Sequence, residues 1–489
     1  MTTNINHRTS ALGDLSPVVF FLTFTTMKNW LITIALTLSF LAGAQTTEDN
    51  IKSIYTTALS EQYSYELLRT LCKDIGARPA GSEAAENAVQ WARMIMDSLG
   101  ADQVILQEVD VPHWVRGNAE MAFIEDPKTP LAVCALGGSI GTQEFAGGSV
   151  SAQVIEVTDF EALKSLGEEG VKGKIVFFNR PMDPSLINTG FAYGGAVNQR
   201  WAGAIEASKL GAVAVIVRSM TLLPDNHPHT GSMSYEGATK KIPAAAVSVL
   251  GAKALHKALR ESGEIKVSLT LSCKSLERTK SFNVIGQWNG TEKTDEYLLV
   301  GGHLDSWELG EGAQDDGAGS MQSLAIPYYL KKNNIRLKRN LRVVLFMNEE
   351  FGMDGANTYA ERAIQLNEKH FVAIESDGGS GAPRGFSIDG NDSIVQVVRG
   401  LRDLFSPYGL HEFPTGYSGA DIGKLNKKET LLIGYRADNQ RYFDYHHAAT
   451  DVFESIHPRE LEMGAASMAA MIYVLDKKDI HLTQKVGVE

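Results

Sequence analysis

Cysteine is scarce: 489 residues contain only Cys72, Cys134 and Cys273. At most two of them could pair and they form no thiolate cluster, so a metal in this chain must be held by histidine and carboxylate. Basic residues are in deficit, 46 against 58 acidic, giving a net charge of −12. Such a surface repels nucleic acid and anionic membrane, and no basic stripe offsets it. No internal repeat stands out. The N-terminal apolar run from Trp30 to Leu41 is too short and too poorly flanked for a membrane span.

That run instead reads as an export signal. Met27-Lys28-Asn29 opens it with a positive charge and Ala42-Gly43-Ala44 closes it with the small residues a signal peptidase prefers. Residues 1–44 are therefore expected to be a signal region, with Met27 as a candidate true start, and the mature chain to be secreted or periplasmic, without stable membrane insertion. No cysteine follows to carry a lipid.

The remainder has an ordinary soluble composition, 44% hydrophobic and 21% charged, and falls into three blocks. Residues 45–110 read as helical: apolar spacing from Tyr65 to Leu71 breaks at Gly76-Ala77-Arg78-Pro79-Ala80-Gly81. Ser82 then caps a helix with Glu83 and Glu86 in its first turn and Val89, Ala92 and Met96 on one face. Residues 111–276 read as short strands, among them Ala152–Val157 and Ile175–Phe178, with a helical interlude from Trp201 to Leu210. A polar loop from Leu223 to Gly231, with His227 and His229, could lie exposed or reach over an active site. From 277 to 489 strands and helices alternate, as in a layered α/β/α domain with a mixed, largely parallel sheet.

The polar residues of this third block gather where strands should end. Tyr297–Val300 runs into a glycine-rich loop carrying His303, Asp305, Asp315 and Asp316. Leu341–Met347 runs into Asn348-Glu349-Glu350, His370–Ile374 into Glu375-Ser376-Asp377, and a further cluster is Tyr445-His446-His447 with Asp451. In an open α/β sheet the carboxyl ends of the strands line one crevice, so these groups converge. They supply enough ligands for two metals bridged by one carboxylate. Neighbouring side chains on an extended segment point opposite ways, so of Glu349 and Glu350 one can face a metal and the other a water.

The strings Gly302-His303-Leu304-Asp305-Ser306-Trp307, Asp315-Asp316-Gly317-Ala318-Gly319, Asn348-Glu349-Glu350-Phe351-Gly352 and Glu375-Ser376-Asp377 together resemble the M28 family of zinc peptidases. Val171–Val176, Gly211–Ile216 and Ile242-Pro243-Ala244 resemble the protease-associated module that one group of the family carries as a β-rich insertion. The resemblance implies two Zn2+, with His303 and Asp377 on one, Glu350 and His447 on the other, and Asp315 between. It further implies Glu349 as general base, Asp305 fixing the His303 tautomer, and a cis peptide at Asp315-Asp316. His447 is selected over His446 by its spacing to Asp451. Tyr417 matches loosely an oxyanion-donating tyrosine of related aminopeptidases and is otherwise a loop residue.

The expected function is thus a secreted dizinc exopeptidase for dipeptides or short peptides, of carboxypeptidase, dipeptidase or aminopeptidase type. Members of the resembling group are often homodimers, which extends that arrangement to this chain as an expectation. The competing expectations are a single-zinc glutaminyl cyclase on the same fold and a catalytically silent receptor or binding module.

Overall fold

A computed structural model describes residues 46–425 and 429–478. The expected signal region lies outside the described residues. The chain divides into two units, Met1–Asp49 and Asn50–Glu489. Of the first only 46–49 are described, where the Asp49 N–H donates to Thr46 Oγ1 at the start of the helix Thr47–Glu61.

Among its described residues the second unit holds fifteen strands. They are β1 (Gln103–Val115), β2 (Glu120–Ile124), β3 (Thr129–Leu131), β4 (Val133–Ala135), β5 (Val150–Val157), β6 (Ile175–Phe178), β7 (Ala214–Arg218), β8 (Ala244–Val247), β9 (Lys266–Leu271), β10 (Lys274–Trp288), β11 (Glu296–His303), β12 (Asn340–Phe346), β13 (Lys369–Glu375), β14 (Pro383–Asp389) and β15 (Leu431–Ala437). A seven-stranded sheet takes the order β1-β10-β12-β11-β13-β15-β14 and an eight-stranded sheet the order β3-β2-β9-β5-β6-β7-β8-β4.

In the first sheet β12, β11, β13 and β15 run parallel, whereas β1, β10 and β14 are antiparallel additions at the two edges. The largely parallel sheet expected from sequence is therefore parallel in its centre and mixed overall. Both faces are covered, and the strands alternate accordingly. Leu341, Val343 and Leu345 of β12 pack into the larger core, with helices Glu83–Ser98, Ala318–Lys332 and Pro458–Asp476, while Val344 and Phe346 pack on the other side against Asp354–Gln365. That is period-two patterning in a strand buried on both faces. Ser82 caps its helix, accepting from the Ala85 N–H.

The chain leaves this sheet after β1 and returns with β10, and the two strands pair along most of their lengths. Everything between builds the second sheet. That stretch reads as strand-rich in sequence, yet helices Phe160–Val171, Asn198–Lys209 and Val249–Ser262 pack on it. The third helix is capped by Ser248 and buries Val249, Ala252 and Leu255, a three-residue spacing diluted in sequence by exposed residues such as Leu250. Among the described residues no helix is long and apolar enough to cross a membrane.

Candidate active site

The parallel strands β11, β12 and β13 end at one edge, and each delivers an ionisable side chain there. β11 ends on His303. Its penultimate residue must be small, because a Cβ on Gly302 would stand 2.2 Å from Asp316 Oδ2. His303 Nδ1 lies 2.9 Å from the Asp305 carbonyl oxygen, which makes Nδ1 the donor and leaves Nε2 facing Asp315 Oδ1 at 3.2 Å and Asp377 Oδ1 at 3.7 Å. His447 is arranged the same way. Its Nδ1 donates to the Thr230 carbonyl at 3.2 Å, while Nε2 faces Asp315 Oδ2 at 3.2 Å and Glu350 Oε2 at 3.1 Å.

Asp315 therefore presents one oxygen to each histidine, and a second carboxylate flanks each histidine. Ligand atoms of His303, Asp315 and Asp377 lie within 4.8 Å of one another, and so do those of Asp315, His446 and His447. His446 stacks on His447 with centroids 3.5 Å apart and holds its Nε2 at 3.6 Å from Asp315, without the Glu350 contact that His447 has. Geometry thus gives His447 the nearer place and leaves His446 within reach.

The donor set fits divalent cations. Among the described residues Glu350 Oε1 is buried with no hydrogen-bond partner, and Asp315 Oδ2 is buried with only the imidazoles of His447 and His446 near it, which for a carboxylate oxygen is costly unless positive charge is supplied. The electrostatics agree. Burial works to lower the His447 pKa, but the charges and hydrogen bonds of Glu350 and Asp315 outweigh it and push it up to about 10. Burial would likewise raise Asp315, yet His303 and His447 hold it well below the usual carboxylate range. Positive charge is favoured wherever the two imidazoles meet Asp315.

Glu349 is different in kind. It is half-buried on the cleft wall, and burial, reinforced by the charges of Asp377, Glu350 and Asp315, pushes its pKa well above the ordinary value, with His303 opposing. A carboxylate so raised is a stronger base than an exposed one. Its backbone is held by Asp305. Rather than reaching the His303 ring, which its carboxylate approaches only to 3.8 Å, Asp305 accepts the N–H groups of Asn348 at 2.7 Å, Glu349 at 3.1 Å and Glu350 at 3.4 Å. The His303 tautomer is set by the Asp305 carbonyl, and its side chain instead holds the adjacent Glu349-Glu350 pair.

Several residues that the sequence clusters contain make contacts there that sequence reading does not give. Asp451 accepts the N–H of Gln314 at 2.6 Å and of Asp315 at 3.2 Å. Glu375 accepts the N–H groups of Ala420 and Ile422, both at 2.7 Å, and so anchors the loop that carries Tyr417. Trp307 donates its Nε1 hydrogen to Glu350 Oε2 at 2.5 Å. Asp316, singled out with Asp315, turns away to accept the His303 N–H at 3.1 Å. The Asp315-Asp316 bond is cis.

The site opens into a cleft of about 1010 Å³. One wall belongs to the segment between β1 and β10: Phe191, Tyr193, Arg200 and Trp201 line it opposite Glu349 and Asp377. Arg200 is only 7% exposed, its Nε has no partner, and its Nη1 lies 3.4 Å from His447 Nδ1, whose hydrogen is already given to Thr230. Tyr417 stands on the opposite rim, 73% exposed. Of the two histidines in the 223–231 loop, His227 is exposed beside Asp225. His229 is buried, bonded at 2.7 Å to the His446 carbonyl, and burial lowers its pKa to about 4. The loop does reach the site.

Residues 283–472 match the model of peptidase family M28. Carboxypeptidase Q of Mus musculus is 32% identical over 435 residues, covering 88% of this chain and 90% of its own, and the Homo sapiens protein is 31% identical over 85% and 86%. A solved peptidase M28 precursor from Shewanella amazonensis superposes with a TM-score of 0.85 at 33% identity, covering 90% of this chain and 98% of its own. A zinc aminopeptidase from Bacillus subtilis shares the fold, with a TM-score of 0.61 at 18% identity. With relatives of this identity matched along most of their length, and the family's model lying over the strands that build the site, the chain belongs to peptidase family M28 and is a peptidase.

Proposed function

We propose that this chain is a secreted dizinc exopeptidase that cleaves dipeptides and short peptides with a free carboxyl end. The observation that carries the reading is the placement of Asp315, whose two oxygens each face a separate histidine flanked by a further carboxylate. His303 and Asp377 would hold one zinc, Glu350 and His447 the other, and Asp315 would serve both. When bound, the ions supply Lewis-acid polarisation of the scissile carbonyl and acidify water.

The remaining steps fall to the chain's own residues. Glu349 takes a proton from the attacking water as its oxygen bonds to the carbonyl carbon, then delivers that proton to the departing amine nitrogen as the C–N bond breaks. Asp305 keeps that carboxylate aimed by holding its backbone. Among the described residues no carboxylate pairs with the buried Arg200 guanidinium, and a substrate carboxylate is the partner that would satisfy it bidentately. This supports recognition of the carboxyl end. The exposure of Tyr417 supports contact with substrate at the rim more than an oxyanion role.

The domain reading continues as a proposal. Residues 1–44 are the signal region, 45–110 the helical start of the catalytic domain, 111–276 a protease-associated insertion, and 277–489 the catalytic core. The homodimer implied by the resemblance belongs to the same proposal.

Zinc content per chain, with hydrolysis of a dipeptide panel before and after chelation, tests the reading. Two zincs, chelator-sensitive cleavage and a raised KM for C-terminally amidated dipeptides are expected. One zinc or none, with no cleavage by zinc-loaded protein, would instead favour cyclase chemistry or a silent binding module.

A further inference from the structure

In sequence, Gly76–Gly81 marks only the break between two helices. In the fold it places Arg78 where solvent does not reach, 0% exposed, and all its acceptors are backbone carbonyls. Nε donates to Leu304 O at 2.5 Å, Nη1 to Glu311 O at 2.7 Å and Gly76 O at 3.4 Å, and Nη2 to Gly312 O at 2.9 Å. The main chain is fastened to the same loop: the Arg78 N–H donates to Ser306 Oγ at 3.2 Å, and the Ser306 N–H donates to Arg78 O at 3.3 Å.

Residues 304–312 join His303 to Asp315 and belong to no strand or helix. Buried carbonyls in such a segment have no ladder to satisfy them and would each cost free energy if left alone. A planar guanidinium with five donors can serve several at once, which an ammonium cannot. The packing around the fork is close, since a Cβ on Gly312 would stand 3.1 Å from Nη1 and one on Gly317 3.3 Å from Nη2. On the far side of the turn Asp451 holds the amides of Gln314 and Asp315. The turn is thus gripped by its carbonyls through Arg78 and by its amides through Asp451.

We propose that Arg78 is a positioning residue for the catalytic centre: by tying down the loop between His303 and Asp315 it sets their separation, and through that zinc affinity and turnover, without touching substrate. This rests on the dizinc reading above.

The test starts with the full-length wild-type chain. Zinc affinity, by competition with a chelator, and dipeptide hydrolysis are measured first. Failure of both would defeat the dizinc reading itself. Given a wild type that binds and cleaves, Arg78→Lys and Arg78→Ala should each lose zinc affinity and kcat by about 10–100-fold, with KM within about threefold. Added guanidinium should restore most of the loss in Arg78→Ala and none in a Glu349→Gln control. Unchanged zinc affinity, a loss confined to KM, or a folded Arg78→Ala that guanidinium does not rescue would overturn the proposal. So would an Arg78→Lys that fails to fold, because Arg78 would then serve the fold and not the site.

Discussion

Along the carboxyl edge of the seven-stranded sheet the buried ionisable groups facing the cleft are Asp315, Glu350, Glu375, His446 and His447. The wall contributed from between β1 and β10 offers a guanidinium and aromatic rings: Arg200, Phe191, Tyr193 and Trp201. One side has donors of the kind that hold cations and move protons. The other has groups of the kind that would recognise an anionic, partly apolar molecule. On the proposed reading chemistry and recognition are divided between the two sheets, which the β1–β10 ribbon joins, and substitutions on the two sides should fail differently.

The largest effect is expected from Glu349→Gln, which keeps shape and removes the base. It should lower kcat by about 10²–10⁴-fold with zinc content unchanged, and a variant retaining a tenth of the activity would remove Glu349 from the chemistry. Arg200→Gln should act on the opposite parameter. Loss of a charged hydrogen bond of about 1.5–3 kcal/mol raises KM for dipeptides roughly 10–100-fold, leaves kcat nearly intact, and has little effect on amidated substrates. A fall in kcat alone would erase the division.

A smaller effect comes from His370, buried in β13 against Tyr359, where burial and then Arg342 lower its pKa to about 3. Its folded form stays neutral while the unfolded form takes a proton below about pH 6.5. The stability it contributes is therefore complete above that pH and is lost as pH falls towards 3. Between pH 6.5 and 5 the loss is about 2 kcal/mol, and His370→Gln should flatten the fall in melting temperature over that window. An unchanged slope would mean that His370 is protonated in the fold. The smallest effect is expected from Tyr417→Phe, less than about tenfold in kcat. A loss of about 10²–10³-fold would instead make this exposed residue the oxyanion donor.

Much of the catalytic sheet was legible because its strands announce their ends. Val343-Val344-Leu345-Phe346 runs straight into Asn348-Glu349-Glu350, and an apolar run that stops on paired carboxylates has few structural explanations. β14 was not legible. It is an edge strand that begins Pro383-Arg384-Gly385, and its pairing comes from β15, far along the chain. The same distance hid Arg200 and Arg78, and hid the contacts of Asp451. Arg200 and Arg78 are unremarkable in their own neighbourhoods, and all three take their contacts at the site from partners a hundred or more residues away. The His229 loop was read as able to reach the site, but its contact with the His446 carbonyl depends on two sheets meeting, which no local pattern encodes.

His447 carries a backbone φ of +64°, unusual for a residue with a side chain, and Thr230 accepts from its ring and donates to its carbonyl. It is also, with Asp451, among the last contributors in chain order. A ribosome making this protein delivers the second histidine that faces Asp315, and then the helix Pro458–Asp476 that completes the larger core, only when nearly the whole chain has emerged, so a prematurely ended chain lacks both.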